Sequence, residues 1–305
     1  MLRLIGSICV GLFVGNLIES LNWTRAVARV AQPLVRQARL KDISGASFSV
    51  AFFSGVAANT MLAEAYEQGR LTRREVVLSN LFNSLPTYFL HLPTLFFIAA
   101  PFIGPAAGIY VGLTAVAAVL RTGFIVLLGR LWLPPLAEGC VVCRLDEMPA
   151  PSRMASALHK TWARFKKRLP KILYFTVPIY TLFYFLKVWG LFQWMDTWAE
   201  AHVRLLAWLP PEAMGIIVFH MAAEFTAGLA AAGALVQAGS LTTPELVLAL
   251  MAGNVLSSPM RAVRHQFPYY AGIFRPALAA RLIVYSQILR ASSIALVAAA
   301  YAWLV

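Results

Sequence analysis

The chain has 305 residues, of which 60% are hydrophobic and only 13% charged, and its net charge is +13. Soluble domains carry roughly 25% charged residues, so this composition excludes an ordinary soluble domain and indicates a chain whose solvent is largely lipid. An excess of Lys and Arg is typical of the cytoplasmic loops of membrane proteins, and it predicts no nucleic-acid binding here. Three cysteines are too few for a disulfide framework.

The first 134 residues predict an N-terminal unit and a first membrane unit. Residues 1–42 hold an apolar helix that is retained rather than cleaved, followed by a basic helix at the cytoplasmic interface. Residues 43–134 then divide into an apolar stretch rich in small residues (45–66), a basic corner (67–75), a segment interrupted by Pro86 and Pro93 (75–101) and a spanning helix (106–133).

The second part of the chain begins with its longest polar stretch. Residues 135–171 are basic and predict a cytoplasmic loop. Residues 172–213 predict an aromatic transmembrane helix followed by an interfacial segment on the periplasmic side. Residues 214–305 predict a second membrane unit, with an Ala/Gly-rich stretch (214–238), a segment containing Pro259 and Pro268 (245–268) and a final helix (276–304).

The two membrane units share an internal repeat at an offset near 170 residues. The ten residues from Gly69 and the ten from Gly239 agree at their Gly, first Leu, Thr, Glu, Val and last Leu positions. Thr72 and Thr242 each stand three residues before a Glu and directly before an apolar run, so each predicts a capping box that opens a helix. The match extends to four further pairs, which are Asn83 with Asn254, Pro86 with Pro259, Pro105 with Pro276, and Leu120-Arg121 with Leu289-Arg290.

The charges of the two corners predict that the repeats are inverted. The first corner contains three arginines and residues 239–245 contain none, so the corners face opposite sides of the membrane. This topology requires 214–238 and, by the repeat, 45–66 to enter and leave on one face. The predicted fold is therefore an all-α polytopic membrane protein with inverted repeats, each a re-entrant hairpin, a proline-broken helix and a spanning helix.

Several of these residues also resemble a known family. Gly45, Ser54-Gly55, the corner with Thr72 and Glu75, and Asn83-Ser84-x-Pro86 resemble the gate domain, also called the nucleoside recognition domain. That domain occurs in bacterial sporulation membrane proteins and in the membrane part of ferrous-iron transporters, and its architecture is related to that of concentrative nucleoside transporters. The second copy departs from the pattern, with Glu224-Phe225 in place of Ser54-Gly55 and Leu229 in place of Asn59. The resemblance implies a multi-pass hairpin transporter of a bacterial or archaeal inner membrane, but not its ligand.

Two arginines are the sharpest functional signal. Arg121 and Arg290 stand near the middle of their helices, where a charged side chain costs at least ~2.5 kcal/mol, and they occupy matching repeat positions. One interpretation is an anion clamp, because a guanidinium presents a fork of donors suited to carboxylate or phosphate. The alternative is an internal ion pair with Glu64 or Glu224 that holds a hairpin to the scaffold.

Polar residues near the predicted breaks complete the candidate site. Glu224 is expected to bind a coupling ion or a hydroxyl, or to pair with an arginine. The Asn amides and the Ser and Thr hydroxyls near the predicted breaks have two possible roles. They either bind the solute or form hydrogen bonds with the backbone groups that lose their helical partners at the breaks. Arg261, Arg264 and His265 are predicted to set topology, and His91 to be a packed polar residue. The predicted substrate-binding set is Asn59, Thr60, Asn83, Ser84, Arg121, Glu224, Thr226, Asn254, Ser257, Ser258 and Arg290.

Other motifs predict little chemistry. Cys140 and Cys143 form a lone CxxC, whereas zinc needs four ligands. Completing a metal site would take Asp146, Glu147, His159 or a second chain, so metal binding by the two cysteines stays open, and the predicted site set contains no metal ligand and no cofactor. Residues 157–168 combine basic and aromatic side chains and are expected to contact anionic lipid headgroups. The sequence has no nucleophile–base pairing or phosphate loop, which favours a protein that is not an enzyme.

The sequence therefore predicts a transporter or channel that moves a small anionic or nucleoside-like solute, with or without a coupling ion. Its site is expected near mid-membrane between the two hairpins. Three alternatives stay open: a membrane scaffold or sensor without transport, a metal-ion gate, and a lipid-processing enzyme or flippase. A metal-ion gate fits the arginines poorly, because they repel cations. Assembly into a homo-oligomer also stays open.

Overall fold

The computed structural model describes residues 33–134, 154–189, 209–222 and 225–305, together with Cys9, Phe13 and Leu17. These residues are almost entirely helical and include no strand, which confirms the predicted all-helical class for this part of the chain. The predicted first helix and most of the segment after it, the CxxC and the predicted interfacial segment after residue 195 lie largely outside the described residues.

Apart from a few turns, the described part of the chain consists of helices. In chain order they are α1 Asp42–Ala51, α2 Gly55–Glu67, α3 Arg73–Phe82, α4 Ser84–Ile103, α5 Ala106–Trp132, α6 Met154–Val188, α7 Pro211–Ala222, α8 Phe225–Ala238, α9 Thr243–Arg261, a π-helical segment Ala262–Gln266, α10 Phe267–Ile273 and α11 Pro276–Leu304.

Three helical stretches among the described residues are long and apolar enough to cross a membrane: Arg73–Ile103, Ala106–Trp132 and Pro276–Leu304. The outer face of α5 has the surface that lipid requires. Large apolar side chains recur on it at helical spacing and remain exposed, namely Val116, Val119, Leu120, Phe124, Leu127 and Leu131. Contiguous exposed apolar surface of this kind is unfavourable in water, which indicates a membrane protein.

The two repeat corners have the same backbone design. Gly69 and Gly239 adopt φ values of +70° and +67°. In both corners the N–H groups of the glycine and of the residue after it donate to carbonyls of the preceding helix, which forms a Schellman motif. In the first corner Thr72 N donates to Glu75 Oε2 over 2.6 Å, and in the second Thr242 N donates to Glu245 Oε2 over 2.8 Å. Each Thr hydroxyl accepts from the backbone N–H of its Glu. Both predicted capping boxes are thereby confirmed.

These caps give a first testable prediction. Thr72→Ala and Thr242→Ala should each lower the free energy of unfolding by about 1 kcal/mol, because each leaves a helix N–H without its acceptor. Thermal unfolding of the detergent-solubilised protein measures the change. Thr243→Ala is the matched control, since Thr243 is exposed and is the first residue inside α9 rather than its cap. Equal effects of Thr242→Ala and Thr243→Ala would contradict the capping argument.

The two corners pack against opposite ends of α5. The carboxyl end of α5 is held by Arg39, whose Nη1 donates to the Arg130 and Leu133 carbonyls over 2.8 and 3.1 Å. The neighbouring Lys41 donates to the Arg70 carbonyl in the first corner, over 3.0 Å. At the other end of α5, Ala106 packs in one apolar cluster with residues that flank the second corner, including Leu235 and Leu246.

Helix α11 runs antiparallel to α5. Its first turns place Leu278 and Ala279 in an apolar cluster with Leu71 of the first corner. Its later turns place Val297 in the apolar cluster that contains Ala106 and flanks the second corner. Because α5 and α11 also pack directly against each other, the two long helices form a central antiparallel pair.

The helices are not interrupted at the prolines, where the sequence analysis placed the breaks, but at other residues. The first long segment is interrupted at Asn83 alone; Pro86 occupies the first turn of α4, where a missing N–H has no intrahelical partner to lose, and Pro93 lies within α4 without ending it. In the second unit α9 continues through Pro259 to Arg261. The change of geometry comes in the π-helical segment Ala262–Gln266. Predicting breaks at Pro86, Pro93 and Pro259 was therefore wrong in position.

The predicted basic loop 135–171 is helical over its described part. A single helix, α6, runs from Met154 to Val188 and joins this basic stretch to the aromatic segment after it. Residues 154–169 contain no Gly or Pro and are rich in strong helix formers, which explains the difference. Within α6 the exposed Trp162 stacks on Phe165 and carries Lys166 Nζ 5.3 Å from its ring centre.

Two pairs of helices flank the central pair. Helices α1 and α2 pack against each other across the turn 52–54, where Ser47 Oγ donates to the Ala58 carbonyl over 3.0 Å. Helices α7 and α8 also pack together, and the absent side chain of Gly228 makes room for the buried ring of His220. The beginnings of α2 and α8 both face the interior of the protein, where they border the cavity described next.

Candidate functional site

A cavity of about 590 Å³ lies between the helix pairs and the central helices. Its size falls within the range typical of small-molecule sites. It is lined by Gly55, Val56, Asn59, Asn80, Asn83, Ser84, Thr87, Tyr88, His91, Leu95, Tyr110, Thr114, Arg121, Phe225, Asn254, Arg261, Gln266, Tyr270, Ser286, Gln287, Arg290 and Ile294. Residues from both predicted membrane units, 43–134 and 214–305, therefore line the same cavity.

Arg121 enters the cavity from the middle of α5. Its Nε donates to Ser84 Oγ at the start of α4 over 3.3 Å, and its Nη1 lies 3.5 Å from Ser293 Oγ on α11. Both partners are neutral hydroxyls, so the hydrogen bonds orient the guanidinium without neutralising its charge. Because a guanidinium has five N–H donors, Arg121 keeps donors for a solute.

Arg290 enters the cavity from the middle of α11, and its partner is also neutral. Asn254 Oδ1 on α9 accepts from Arg290 Nη2 over 3.2 Å and from Arg261 Nη2 over 3.0 Å. The same side chain donates from Nδ2 to Tyr110 OH over 2.9 Å. The bond to the tyrosine fixes the amide so that its oxygen faces the two guanidinium groups. A single uncharged oxygen thus holds two arginines side by side.

No carboxylate neutralises the two repeat-related arginines within the part of the chain that the structure describes. None of the described lining residues is Asp, Glu or Cys. The ion pair that the structure shows among described residues joins Lys41 to Glu75, away from the cavity. Glu64, one predicted partner, is exposed on α2 and bonds to neither arginine; Glu224, the other, lies outside the described residues. The described contacts therefore favour the clamp over the internal pair with Glu64.

The rest of the cavity wall is polar and uncharged. Asn80 Nδ2 donates to Asn59 Oδ1 over 2.8 Å and lies 3.3 Å from Tyr270 OH. Asn83 Nδ2 donates to Ser47 Oγ over 2.7 Å. The Ser47 hydroxyl donates its only proton to the Ala58 carbonyl and can therefore only accept from Asn83, which fixes the orientation of the Asn83 amide. The amide oxygen of Asn83 has no hydrogen-bond partner among the described residues.

The structure brings together six of the eleven predicted site residues. The residues that line the cavity are Asn59, Asn83, Ser84, Arg121, Asn254 and Arg290. Ser258 lies behind the wall, where its hydroxyl donates to Gln287 Oε1 over 2.6 Å. Three other residues lie away from the cavity: Thr60 and Ser257 bond to carbonyls of their own helices, and the Thr226 hydroxyl is buried without a described partner. Glu224 lies outside the described residues.

Sequence reasoning missed several lining residues, although a signal for some of them exists. Tyr110, Thr114 and Arg121 recur at spacings that place them on one face of α5, and Gln287, Arg290 and Ile294 do the same on α11. Extending each stripe from its arginine predicts these neighbours. Asn80, Tyr88 and Tyr270 have no such signal. Two lining residues had been given other roles: Arg261 a topological role and His91 a packing role.

The described residues offer no metal centre, since no group of three or more His, Cys, Asp or Glu side chains is assembled among them. What they assemble is a set of guanidinium donors and neutral amides, and such a set binds anions. The arrangement is thus suited to holding a negatively charged group near Arg121 and Arg290, with neutral hydrogen-bonding groups around the remainder of a solute.

Comparisons with known proteins give relatives but no activity. No family model matches the chain, and no solved structure matches it. The chain is similar to three proteins of Methanocaldococcus jannaschii, each described as uncharacterized. MJ0871 is 26% identical over 278 residues, which cover 89% of this chain and 84% of that protein. MJ0880 and MJ1556 are both 23% identical, over 87% of this chain and 85% and 83% of theirs. The similarity extends over most of both chains, so it concerns the architecture as a whole.

Proposed function

We propose that the protein is a membrane transporter or channel for a small anionic solute, which binds in the cavity between the two repeat units. The observation that carries this proposal is the pairing of Arg121 and Arg290. Both line the cavity from the middle of membrane-length helices, and all their described partners are neutral. A charge in a membrane interior without a counter-charge is strongly unfavourable, so the site is stabilised when an anion enters.

The architecture supports transport rather than a purely structural role. The corners are built alike and pack at opposite ends of α5, as expected of an inverted repeat. The proposal treats α1–α2 and α7–α8 as re-entrant hairpins whose tips meet at the cavity, in line with the resemblance to the gate domain. Inverted repeats with interrupted helices around a central polar site are a recurring design of secondary transporters. Such a protein resides in the inner membrane of a bacterial or archaeal cell.

The charge of the site decides between solute classes. A neutral nucleoside makes no use of two guanidinium groups, although the neutral wall around Asn80 could bind its hydroxyls. A metal cation is repelled by the arginines, and the described lining offers no carboxylate or thiolate to bind it. An anion satisfies both arginines at once.

Two arginine variants test the proposal. A thermal-stability screen of the purified protein with phosphates, dicarboxylates, nucleotides, nucleosides and divalent cations first identifies a ligand. Proteoliposomes containing Arg121→Gln or Arg290→Gln should then take up that ligand at least about tenfold more slowly, because each loses charge-assisted hydrogen bonds of about 1.5–3 kcal/mol.

Arg281→Gln is the control for this experiment. Arg281 is exposed on the same helix as Arg290 and does not line the cavity, so its replacement should leave uptake unchanged. The proposal fails if the two test variants fold and retain full uptake. It also fails if nucleosides or cations alone stabilise the protein, or if an identified anionic ligand is bound but never crosses the bilayer.

A further inference from the structure

We infer that the anion bound by Arg121 and Arg290 is a phosphate group in its doubly charged form, either free or as the monoester of a small polar molecule. This inference rests on the proposed function of the same cavity and adds the class of its solute. It follows from three features of the described site: the number of positive charges, the directions from which their donors come, and the chemistry of the surrounding wall.

The charge of the site favours a dianion over a monoanion. Arg121 and Arg290 contribute two positive charges to a cavity that Arg261 also lines, and neither Arg121 nor Arg290 forms an ion pair with a described carboxylate. A monoanion would leave one of these charges uncompensated, which is strongly unfavourable away from water. A phosphate monoester carries about −1.5 to −2 charge at neutral pH and compensates both. The charge balance thus favours phosphate over a single carboxylate.

The directions of the donors match a tetrahedral group. Arg121 approaches from α5, whereas Arg290 approaches from the antiparallel α11 and Arg261 from α9. The two oxygens of a carboxylate lie in one plane, and their lone pairs accept donors mainly within that plane. A phosphate presents three strong acceptor oxygens in different directions, so it can accept from arginines on separate helices.

Asn254 orients two of the guanidinium groups at the cavity. Its amide oxygen accepts from Arg261 and Arg290 over 3.0 and 3.2 Å and so holds both guanidinium groups in a position where a phosphate oxygen can compete for them. Because an amide is neutral, this bond orients the donors without occupying the site with a fixed negative charge. Donors that are already oriented lose less conformational freedom when an anion binds, which favours its binding.

The remaining wall suits a polar and uncharged body. Amides of Asn59, Asn80 and Asn83 and the phenol of Tyr270 line the cavity on the side of the first helix pair. The volume of about 590 Å³ exceeds what one phosphate group fills, so it admits either a hydrated phosphate ion or a phosphorylated small molecule. The experiment must separate these two sources.

Calorimetric titration of the purified full chain in detergent provides the test. The probes are inorganic phosphate, glycerol phosphate, sulfate, acetate and succinate, all at pH 7.5. We expect a tetrahedral dianion to bind at least about tenfold more tightly than either carboxylate, since a lost charge-assisted hydrogen bond is worth about 1.5–3 kcal/mol. Tight binding of inorganic phosphate identifies the free ion as the source, and tight binding of glycerol phosphate alone identifies a monoester.

A second measurement uses the protonation of the probe. The second pKa of a phosphate monoester is about 6, so a site that accepts only the dianion should bind glycerol phosphate about fourfold more weakly at pH 5.5 than at pH 7.5. Sulfate keeps both charges at these pH values, and its affinity should not change. Arg121→Gln and Arg290→Gln should weaken both probes, whereas Arg281→Gln should weaken neither.

The outcomes distinguish this inference from the proposed function. Carboxylates that bind as tightly as phosphate and depend on both arginines would overturn the inference and leave an anion transporter. A glycerol phosphate affinity that stays constant between the two pH values would overturn the requirement for a dianion. Failure of every anion to bind would overturn the inference together with the proposed function.

Discussion

Replacing Asn254 by Asp is expected to reduce anion binding at least about hundredfold. The new carboxylate would lie where the amide oxygen now accepts from Arg261 and Arg290, over 3.0 and 3.2 Å, and would form an internal ion pair with both. Their charge-assisted hydrogen bonds, worth about 1.5–3 kcal/mol each, would then no longer be available to a solute. Titration with the anion that stabilises the native protein measures the loss.

Asn254→Leu separates the effect of charge from that of shape. Leucine has a similar size but adds no charge, and its introduction frees donors of both arginines, so anion affinity should stay within about tenfold of the native value. Thermal unfolding without ligand should also show Asn254→Asp to be more stable than Asn254→Leu. Equal losses of binding in the two variants would contradict the argument, as would full binding by Asn254→Asp.

Gly129→Ala is expected to cause the largest loss of stability. Gly129 lies near the carboxyl end of α5 with its backbone directly against the Ala38 carbonyl group. An added methyl group would meet backbone atoms, which cannot rotate away as a side chain can. Overpacking of this kind costs about 3 kcal/mol. Thermal unfolding should therefore show a large decrease in the transition temperature.

Gly123→Ala on the same helix is the matched control. A methyl group at Gly123 would have no atom of another part of the structure within 4 Å. Because Ala favours an α-helix over Gly by about 1 kcal/mol, this variant should be neutral or slightly more stable. The two substitutions are chemically identical, so a loss of stability in Gly129→Ala without a loss in Gly123→Ala would reflect the close approach of residues 33–41 to α5. A similar stability for both variants would disprove that approach.

The corners could be predicted from sequence because short segments encode them. A glycine at positive φ and a Thr three residues before a Glu are sufficient to end one helix and begin the next, and the structure has both at 69–75 and 239–245. The pair Arg121 and Arg290 was equally visible, because a charge within an apolar helix stands out. The partners of the arginines were not visible, since the contact of Arg121 with Ser293 and the sharing of Asn254 by Arg290 and Arg261 depend on how separate helices pack.

Errors in the candidate site have a common physical origin. Adjacent residues of a helix point about 100° apart, and of Asn59 and Thr60 only Asn59 lines the cavity, while the Thr60 hydroxyl donates to the Val56 carbonyl of its own helix. The breaks were placed at prolines, yet Pro86 fits within a first turn and Pro259 within a last one. Asn80 and Tyr270 meet across 190 positions of chain, a contact that no local pattern encodes.

The unequal surroundings of the two arginines have an energetic consequence. Arg121 contacts the hydroxyls of Ser84 and Ser293, whereas Arg290 shares the Asn254 amide with Arg261. In the transporter that we propose, alternating access would make the two halves exchange their roles as inner and outer gate. Because hydroxyls contact one arginine and a shared amide contacts the other, we expect the two end states to differ in free energy and the empty carrier to prefer one orientation.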